Sequence, residues 1–229
     1  MKAFTDTTIT KAELLKELKW HQAQDNFVRG WYFRDGKGCA VGCSLESIAR
    51  TKGVHLDRGY GQHKLYEQHT GIPEWLAHVE DTLFERMSID RSKTWPVEFI
   101  KAINEGADLE KAKAPFMIAV LEEALCCFNH TAFPNVKMII DRVAHLWAKG
   151  GTKEEFSAAA KAVYVANASS TANAVYASNT AVYAAYAADA VYAAYAANTA
   201  YAAEAAAKAA VERMADKLLR ILNSLKGEA

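Results

Sequence analysis

The stretch AVYAAYAADAVYAAYAANTAYA, residues 181–202, decides the fold class of this 229-residue chain. It lies within the run Ala158–Ala210, where 27 of 53 residues are alanine and seven of the chain's ten tyrosines occur. Alanine is the strongest helix former, and the sequence has no glycine or proline between Gly151 and Gly227. The run is therefore predicted to be helical.

The alanine-rich run is also expected to be largely covered, because Asp189 is its only charged residue between positions 162 and 203. A nine-residue repeat places Tyr183 and Tyr192 on opposite sides of a straight helix, so no single apolar face results. One helix surrounded on all sides fits this pattern, but we favour several shorter, closely packed helices. Alanines let helix axes approach, and the tyrosines fill the remaining gaps. The candidate binding residues here are Tyr183, Tyr186, Tyr192 and Tyr195.

Helix signals also dominate the rest of the chain. Thr10 with Glu13, and Thr152 with Glu155, form capping-box patterns, while Pro96 and Pro134 are each predicted to begin a helix. Residues 31–41 contain the only β-like pattern, a short hairpin turning at Asp35-Gly36. We predict a mainly all-α, multi-helix bundle with at most that one hairpin. Two domains are expected: 1–150, with a Gly/Cys-rich loop, and 151–229, an alanine-rich helical hairpin or bundle.

Charge and composition narrow the function classes. Lysine plus arginine equals aspartate plus glutamate at 27 each, and residues 152–229 carry seven of each sign. No basic stretch is present, so neither nucleic acid nor an anionic membrane is an expected partner. The larger apolar residues of the alanine-rich run are mainly valines, diluted by polar residues, which disfavours a membrane span. Because the first residues lack a signal-peptide pattern, we expect a cytoplasmic protein of a bacterial host cell with reduced cysteines.

The residues best suited to chemistry occur in DGKGCAVGCSLESIA, residues 35–49. A glycine-rich turn would bring Cys39 or Cys43 to the start of a helix, which stabilises a thiolate and exposes backbone N–H groups. A nucleophilic thiol needs a base, and His63 is the favoured one. Alternatively, both cysteines are small buried residues, and the glycines serve tight turns.

Three further expectations concern the same part of the chain. Lys37, between two glycines and followed by Ser44, is a candidate phosphate-binding residue, although the spacing differs from a P-loop. Ser44 is also predicted to cap a short helix. The acidic residues of the later helices are expected on ordinary outer faces, because apolar residues occupy the complementary positions; these are Glu80, Asp81, Glu85, Glu122 and Glu123.

We expect no cofactor, and zinc is the alternative. Cys39 and Cys43, with His55 and His63 downstream, are ligand types that suit zinc. Their spacing is not that of a Cys-x-x-Cys knuckle, and no second cysteine pair follows nearby.

Two resemblances add to these patterns. The run GKGCAVGC at 36–43, followed by GIPEWLA at 71–77 and Trp95-Pro96, resembles a set of uncharacterised phage and bacterial proteins. Separately, LWAKG at 146–150 leading into alanine-rich helices resembles the tail of a putative bacterial immunity-protein family. That resemblance covers about the last third of the chain and implies a toxin-neutralising binding role without naming a site.

Two functions follow as hypotheses. The first is a stoichiometric protein-binding factor, such as a phage or bacterial inhibitor or immunity protein, which binds an unidentified protein partner and forms homo-oligomers through its uncharged helices. It is favoured because the sequence contains no complete catalytic motif. The alternative is a cysteine-dependent, hydrolase-like enzyme that uses Cys39 or Cys43 with His63.

Overall fold

The structure is a computed structural model that describes residues 2–56, 61–126, 131, 133–166, 179–181, 183–184 and 207–227. The described part is mainly helical with a single two-stranded hairpin, which confirms the predicted fold class. Most of the alanine-rich run lies outside these residues. The predicted packing of its short helices, and three of its four candidate binding tyrosines, Tyr186, Tyr192 and Tyr195, therefore stay predictions.

The described elements comprise two short strands, one 3-10 turn and nine α-helices. The two strands, β1 and β2, are Phe33–Arg34 and Lys37–Gly38. A single 3-10 turn, Leu109–Ala112, precedes α6. The α-helices are α1 Lys11–Ala23, α2 Ala40–Lys52, α3 His63–Thr70, α4 Glu74–Arg86, α5 Ile89–Ala102, α6 Lys113–Leu125, α7 Pro134–Lys149, α8 Lys153–Ala166 and α9 Ala207–Ser224.

The chain divides into two compact units. Unit 1 consists of Met1–Ala112 with Leu218–Ala229, and unit 2 consists of Lys113–Lys217. Gly150-Gly151, where the sequence pattern divides the chain into domains 1–150 and 151–229, lies inside unit 2 between the packed helices α7 and α8. The division into domains 1–150 and 151–229 stays a prediction.

Unit 1 is built around α2, which packs against α1, α3 and α4. Its inward side chains, such as Leu45 and Ile48, are fully buried. Large aromatic side chains fill the space between the other helices, and Trp75, Phe84 and Trp95 are at most 2 % exposed. Burial of these apolar side chains is the main stabilising contribution to the unit, and it fixes α2 and α4 beside each other.

The ends of several helices match the sequence patterns, and two do not. The Thr10 hydroxyl accepts the Glu13 backbone N–H at 3.2 Å, as the capping box predicts, and α7 begins at Pro134. The helix start predicted at Pro96 is wrong, because Ser88 caps α5 and Pro96 lies inside that helix. Ser44 is not a cap either, since its hydroxyl donates to the Ala40 carbonyl within α2.

Unit 2 contains α6, which packs on α7, and α7, which packs on α8. One apolar side of α7, with Ile140 and Val143, is buried, and Ala159 and Ala160 of α8 are fully buried. Thr152 and Glu155 form the second predicted capping box, with the Thr152 N–H donating to the Glu155 carboxylate at 2.8 Å.

None of the helices in the described part of the chain is both long enough and apolar enough to cross a bilayer.

Candidate active site

The hairpin leads directly into the start of α2. Asp35 and Gly36 both have positive φ, 52° and 81°, which is the turn that joins two-residue hairpins of this kind. Phe33 pairs with Gly38, and the next residue, Cys39, is the N-cap of α2. The predicted hairpin is therefore confirmed, and it delivers a thiol to a helix N-terminus.

Two glycines allow the hairpin to approach α2 closely. A Cβ on Gly38 or on Gly42 would lie 2.2 Å or 1.7 Å from the carbonyl oxygen of Tyr32, well inside van der Waals contact. That oxygen accepts the Cys39 backbone N–H at 3.1 Å, and the Trp31 carbonyl accepts the same N–H at 2.9 Å. The glycines of the motif thus fix the backbone of Cys39.

Cys39 opens onto a cleft of about 270 Å³ in unit 1. Trp31 and Tyr32, just before β1, form aromatic walls. Helix α3 contributes an imidazole, and α4 contributes two carboxylates. The lining residues are Gly30, Trp31, Tyr32, Cys39, Gly61, His63, Asp81 and Glu85. A space of this size admits a small molecule rather than a folded partner.

The carboxylate of Asp81 lies beside both the thiol and the imidazole. Its Oδ2 is 3.4 Å from Nε2 of His63, and its negative charge acts on the Cys39 thiol. The sulfur of Cys39 in turn accepts the Gly42 backbone N–H at 3.4 Å. Burial above all, and then the charge of Asp81, raise the pKa of Cys39 well above its ordinary value, so the resting group is a neutral thiol.

His63 is a largely buried polar group of the cleft. It is 7 % exposed, and its ring stacks on His78 with centroids 3.8 Å apart. Tyr32 packs edge-on against the same ring. Neither ring nitrogen makes a hydrogen bond with any described residue, despite the proximity of Asp81 to Nε2. The imidazole is thus held in place by ring contacts, with nitrogens available to a ligand or a proton.

Glu85 lies one helical turn after Asp81, so both side chains project from the same face of α4. Its Oε2 accepts the Gly30 backbone N–H at 2.7 Å, which ties the hairpin segment to α4. Burial raises the pKa of Glu85, and the neighbouring Asp81 raises it further, whereas the Gly30 hydrogen bond opposes this shift. The cleft is therefore acidic on one wall.

The structure brings together only some of the candidate residues. Cys39 and His63 line the cleft, whereas Cys43 is fully buried in α2, donates its S–H to the Gly38 carbonyl at 3.5 Å and does not line it. Lys37 and His55 are exposed, and Tyr183 is half-buried in unit 2.

The assignment of the acidic residues to outer faces is wrong for several of them. Glu80 is fully buried, Glu123 is 3 % exposed, and Asp81 and Glu85 line the cleft. The signal for Asp81 and Glu85 was their four-residue spacing, which predicts a shared helix face but not what that face contacts.

The zinc alternative gains no support from the geometry. Among the described residues, no group of three or more histidine, cysteine, aspartate or glutamate side chains is arranged to hold a metal ion.

The fold and the cleft define a mainly helical protein with a buried thiol, an imidazole and two carboxylates in one small site. In comparisons with known proteins, no family model, no curated protein and no solved structure matches this chain. The resemblances to phage and bacterial proteins and to the immunity-protein family stay predictions.

Proposed function

We propose that this chain is a cysteine-dependent enzyme that uses Cys39 as its nucleophile. The observation that supports the proposal is the convergence of Cys39, His63 and Asp81 on one cleft of about 270 Å³. A nucleophilic cysteine requires a nearby base and a site that admits a small substrate, and both are present here.

Each of the three side chains has a distinct role in this proposal. Asp81 lies 3.4 Å from Nε2 of His63 and orients the imidazole, and His63, which lines the same cleft as Cys39, accepts the proton that leaves the sulfur. The Gly42 N–H at the start of α2 stabilises the resulting thiolate. His63 then returns the proton to the leaving group.

Without a bound substrate, the Cys39 thiol is not activated as a nucleophile. Because burial and the Asp81 charge keep Cys39 protonated, the thiol reacts slowly until a substrate changes its surroundings. This property distinguishes the proposal from an exposed, constitutively reactive cysteine, and it also protects the thiol against oxidation.

Alkylation of the native protein by iodoacetamide, followed by peptide mapping, tests the proposal. Because Cys126 is exposed, the test uses a background with Cys126→Ser and Cys127→Ser. There we expect one adduct at Cys39, absent from Cys39→Ser and retained by Cys43→Ser, because Cys43 does not line the cleft. His63→Gln should lower the Cys39 rate about tenfold through the loss of the proton acceptor. Modification of Cys39 only after unfolding, or a rate indifferent to His63, would identify a structural thiol.

The protein-binding role, with its immunity or inhibitor function and its homo-oligomer, stays a prediction. Tyr186, Tyr192 and Tyr195, on which it depends, lie outside the described residues. Co-purification from the native host followed by partner identification tests it, and a strict monomer without a partner would count against it.

A further inference from the structure

We infer that the cleft binds a small planar organic cation, a guanidinium or amidinium group, and that this group is what Cys39 attacks. The inference deepens the proposed function and rests on it. It concerns the charge and shape of the ligand, which the identity of the nucleophile alone does not determine.

The charges that line the cleft favour a cation. Asp81 and Glu85 provide two carboxyl groups from one helix face, and no lysine or arginine occurs among the described lining residues. Carboxylates bind guanidinium and amidinium groups through pairs of parallel N–H···O hydrogen bonds. One oxygen of Asp81, Oδ1, is buried without a hydrogen-bond partner among the described residues and so can accept such a bond.

His63 is a second, independent indication of a ligand. The side chain is more than nine-tenths buried, lines the cleft, and has no hydrogen-bond partner for either ring nitrogen among the described residues. Leaving a buried imidazole without a hydrogen bond is unfavourable, so a ligand that hydrogen-bonds to it binds more tightly. A flat ligand with several N–H groups is suited to both His63 and Asp81.

The aromatic walls of the cleft favour a planar cation over a compact ammonium ion. Trp31 and Tyr32 line one side, and the Trp31 ring already attracts a guanidinium, since the Arg34 side chain lies 5.6 Å from its centroid. Delocalised cations stack on aromatic faces and are more weakly hydrated than ammonium. The site therefore pairs a flat apolar wall with an acidic wall.

A cation bound at this position also activates the thiol. The charge of Asp81 is one reason why Cys39 stays protonated, and a cation seated against that carboxylate offsets it. The substrate thereby supplies the positive charge that stabilises the thiolate, so reactivity is switched on only when the cleft is occupied.

The reaction that this arrangement supports is a hydrolysis. The Cys39 sulfur adds to the central carbon of the cation, the thiol proton passes to the departing nitrogen, the C–N bond breaks, and ammonia or an amine leaves. Water then adds to the same carbon, the C–S bond breaks, and the thiol recovers its proton. An amidinium and water give an amide and ammonium, without oxidant or reductant.

Two alkylating agents of nearly equal size test the inference. Chloroacetamidine is a cation, and chloroacetamide is its neutral counterpart; the rate of each is measured at Cys39 and at glutathione. We expect the ratio of the amidine rate to the amide rate to be about tenfold higher at Cys39 than at glutathione. Guanidinium chloride at a non-denaturing concentration should slow the labelling by both reagents.

Variants of the acidic wall provide the decisive comparison. Asp81→Asn should raise the chloroacetamide rate, because the charge that suppresses thiolate is gone, and should abolish the preference for the amidine. Glu85→Gln should reduce that preference, whereas Asp90→Asn should leave both rates unchanged, because Asp90 is exposed and does not line the cleft.

The outcomes separate the two proposals. Equal normalised rates of the two reagents at a His63-dependent Cys39 would overturn the cation inference and leave the enzyme proposal standing. Failure of both reagents to reach Cys39 in the folded protein would overturn both.

Discussion

The carbonyl oxygen of Tyr32 lies 1.7 Å from the point that a Cβ on Gly42 would occupy. This approach joins the hairpin to the first turn of α2, where Cys39 is the N-cap. The position of the thiol in the cleft thus depends on a glycine three residues further along the chain.

Gly42→Ala is expected to destabilise unit 1 by about 2–4 kcal/mol, because the obstructing atom is backbone and cannot rotate away. Urea unfolding measures this change. Gly53→Ala, at the other end of α2, is the control: its Cβ meets open space, and the positive φ of 64° alone should cost about 1 kcal/mol. Equal effects of the two substitutions would show that the close approach is unimportant.

Glu80 makes unit 1 less stable as pH rises. The side chain is fully buried, and burial, followed by the charge of Asp81, raises the pKa of Glu80 well above its usual 4.5. A raised pKa in the folded state favours folding below the unfolded value and loses that contribution as pH rises toward the folded value. Glu80→Gln mimics the protonated acid without titrating.

The variant is therefore expected to gain stability over the native chain by about 1.4 kcal/mol for each pH unit above about 4.5, until the folded pKa is reached. Unfolding free energies of both proteins between about pH 4.5 and 7 measure the difference. The exposed Glu105→Gln is the control. Parallel pH curves for Glu80→Gln and the native chain would mean that Glu80 is ionised in the fold.

His21 has the opposite pH dependence. Burial, with the charge of Arg50 as a lesser cause, lowers the pKa of His21 from 6.5 to about 4, so the ring is neutral in the folded protein. The unfolded chain takes up a proton below pH 6.5 that the folded one does not, and stability falls by about 1.4 kcal/mol per pH unit between those values.

His21→Gln should be less stable than the native chain near neutrality, by about 1–2 kcal/mol from lost packing, and this deficit should disappear and then reverse as pH falls from about 6.5 to 4. Thermal or urea unfolding across this interval is the measurement. The exposed His145→Gln should show no such convergence. A deficit that is constant with pH would exclude a neutral, buried imidazole.

In unit 2, the buried Glu123 depends on two cations from α9. Arg213 Nε donates to its Oε1 at 3.0 Å, and Lys217 Nζ lies 3.5 Å from Oε2. Arg213→Met should destabilise the protein by about 1–3 kcal/mol, because it removes an ion-pair partner from a buried carboxylate.

The double variant Glu123→Met with Arg213→Met should recover most of that loss, since an apolar side chain at the buried position 123 needs no ionic partner, while position 213 is about half exposed. The exposed Arg220→Met is the control. Additive losses in the double variant, seen in a double-mutant cycle, would show that the two side chains do not act as a pair.

The hairpin and the start of α1 could be predicted because the residues that specify them are close together in the sequence. Asp35-Gly36 indicated the hairpin, and Thr10 with Glu13 indicated the start of α1. The cap of α2 could not be read in this way. Ser44 is the better capping residue by type, but the fixed position of the hairpin makes Cys39 the cap instead.

Only two residues of the candidate site could be predicted from the sequence. Cys39 and His63 stand out by residue type, whereas Asp81 resembles any solvated carboxylate of an amphipathic helix. Its role depends on the packing of α4 beside α2 and α3, across 42 residues of separation from Cys39, and helical periodicity contains no information about such contacts.

The pH dependence of Cys39 alkylation by iodoacetamide, in the native chain and in Asp81→Asn, tests most directly whether the thiol and the carboxylate form one site. The apparent pKa of Cys39 should lie above the ordinary thiol value in the native chain and fall in the variant, because the adjacent negative charge is removed. Superimposable pH profiles for the two proteins would contradict it.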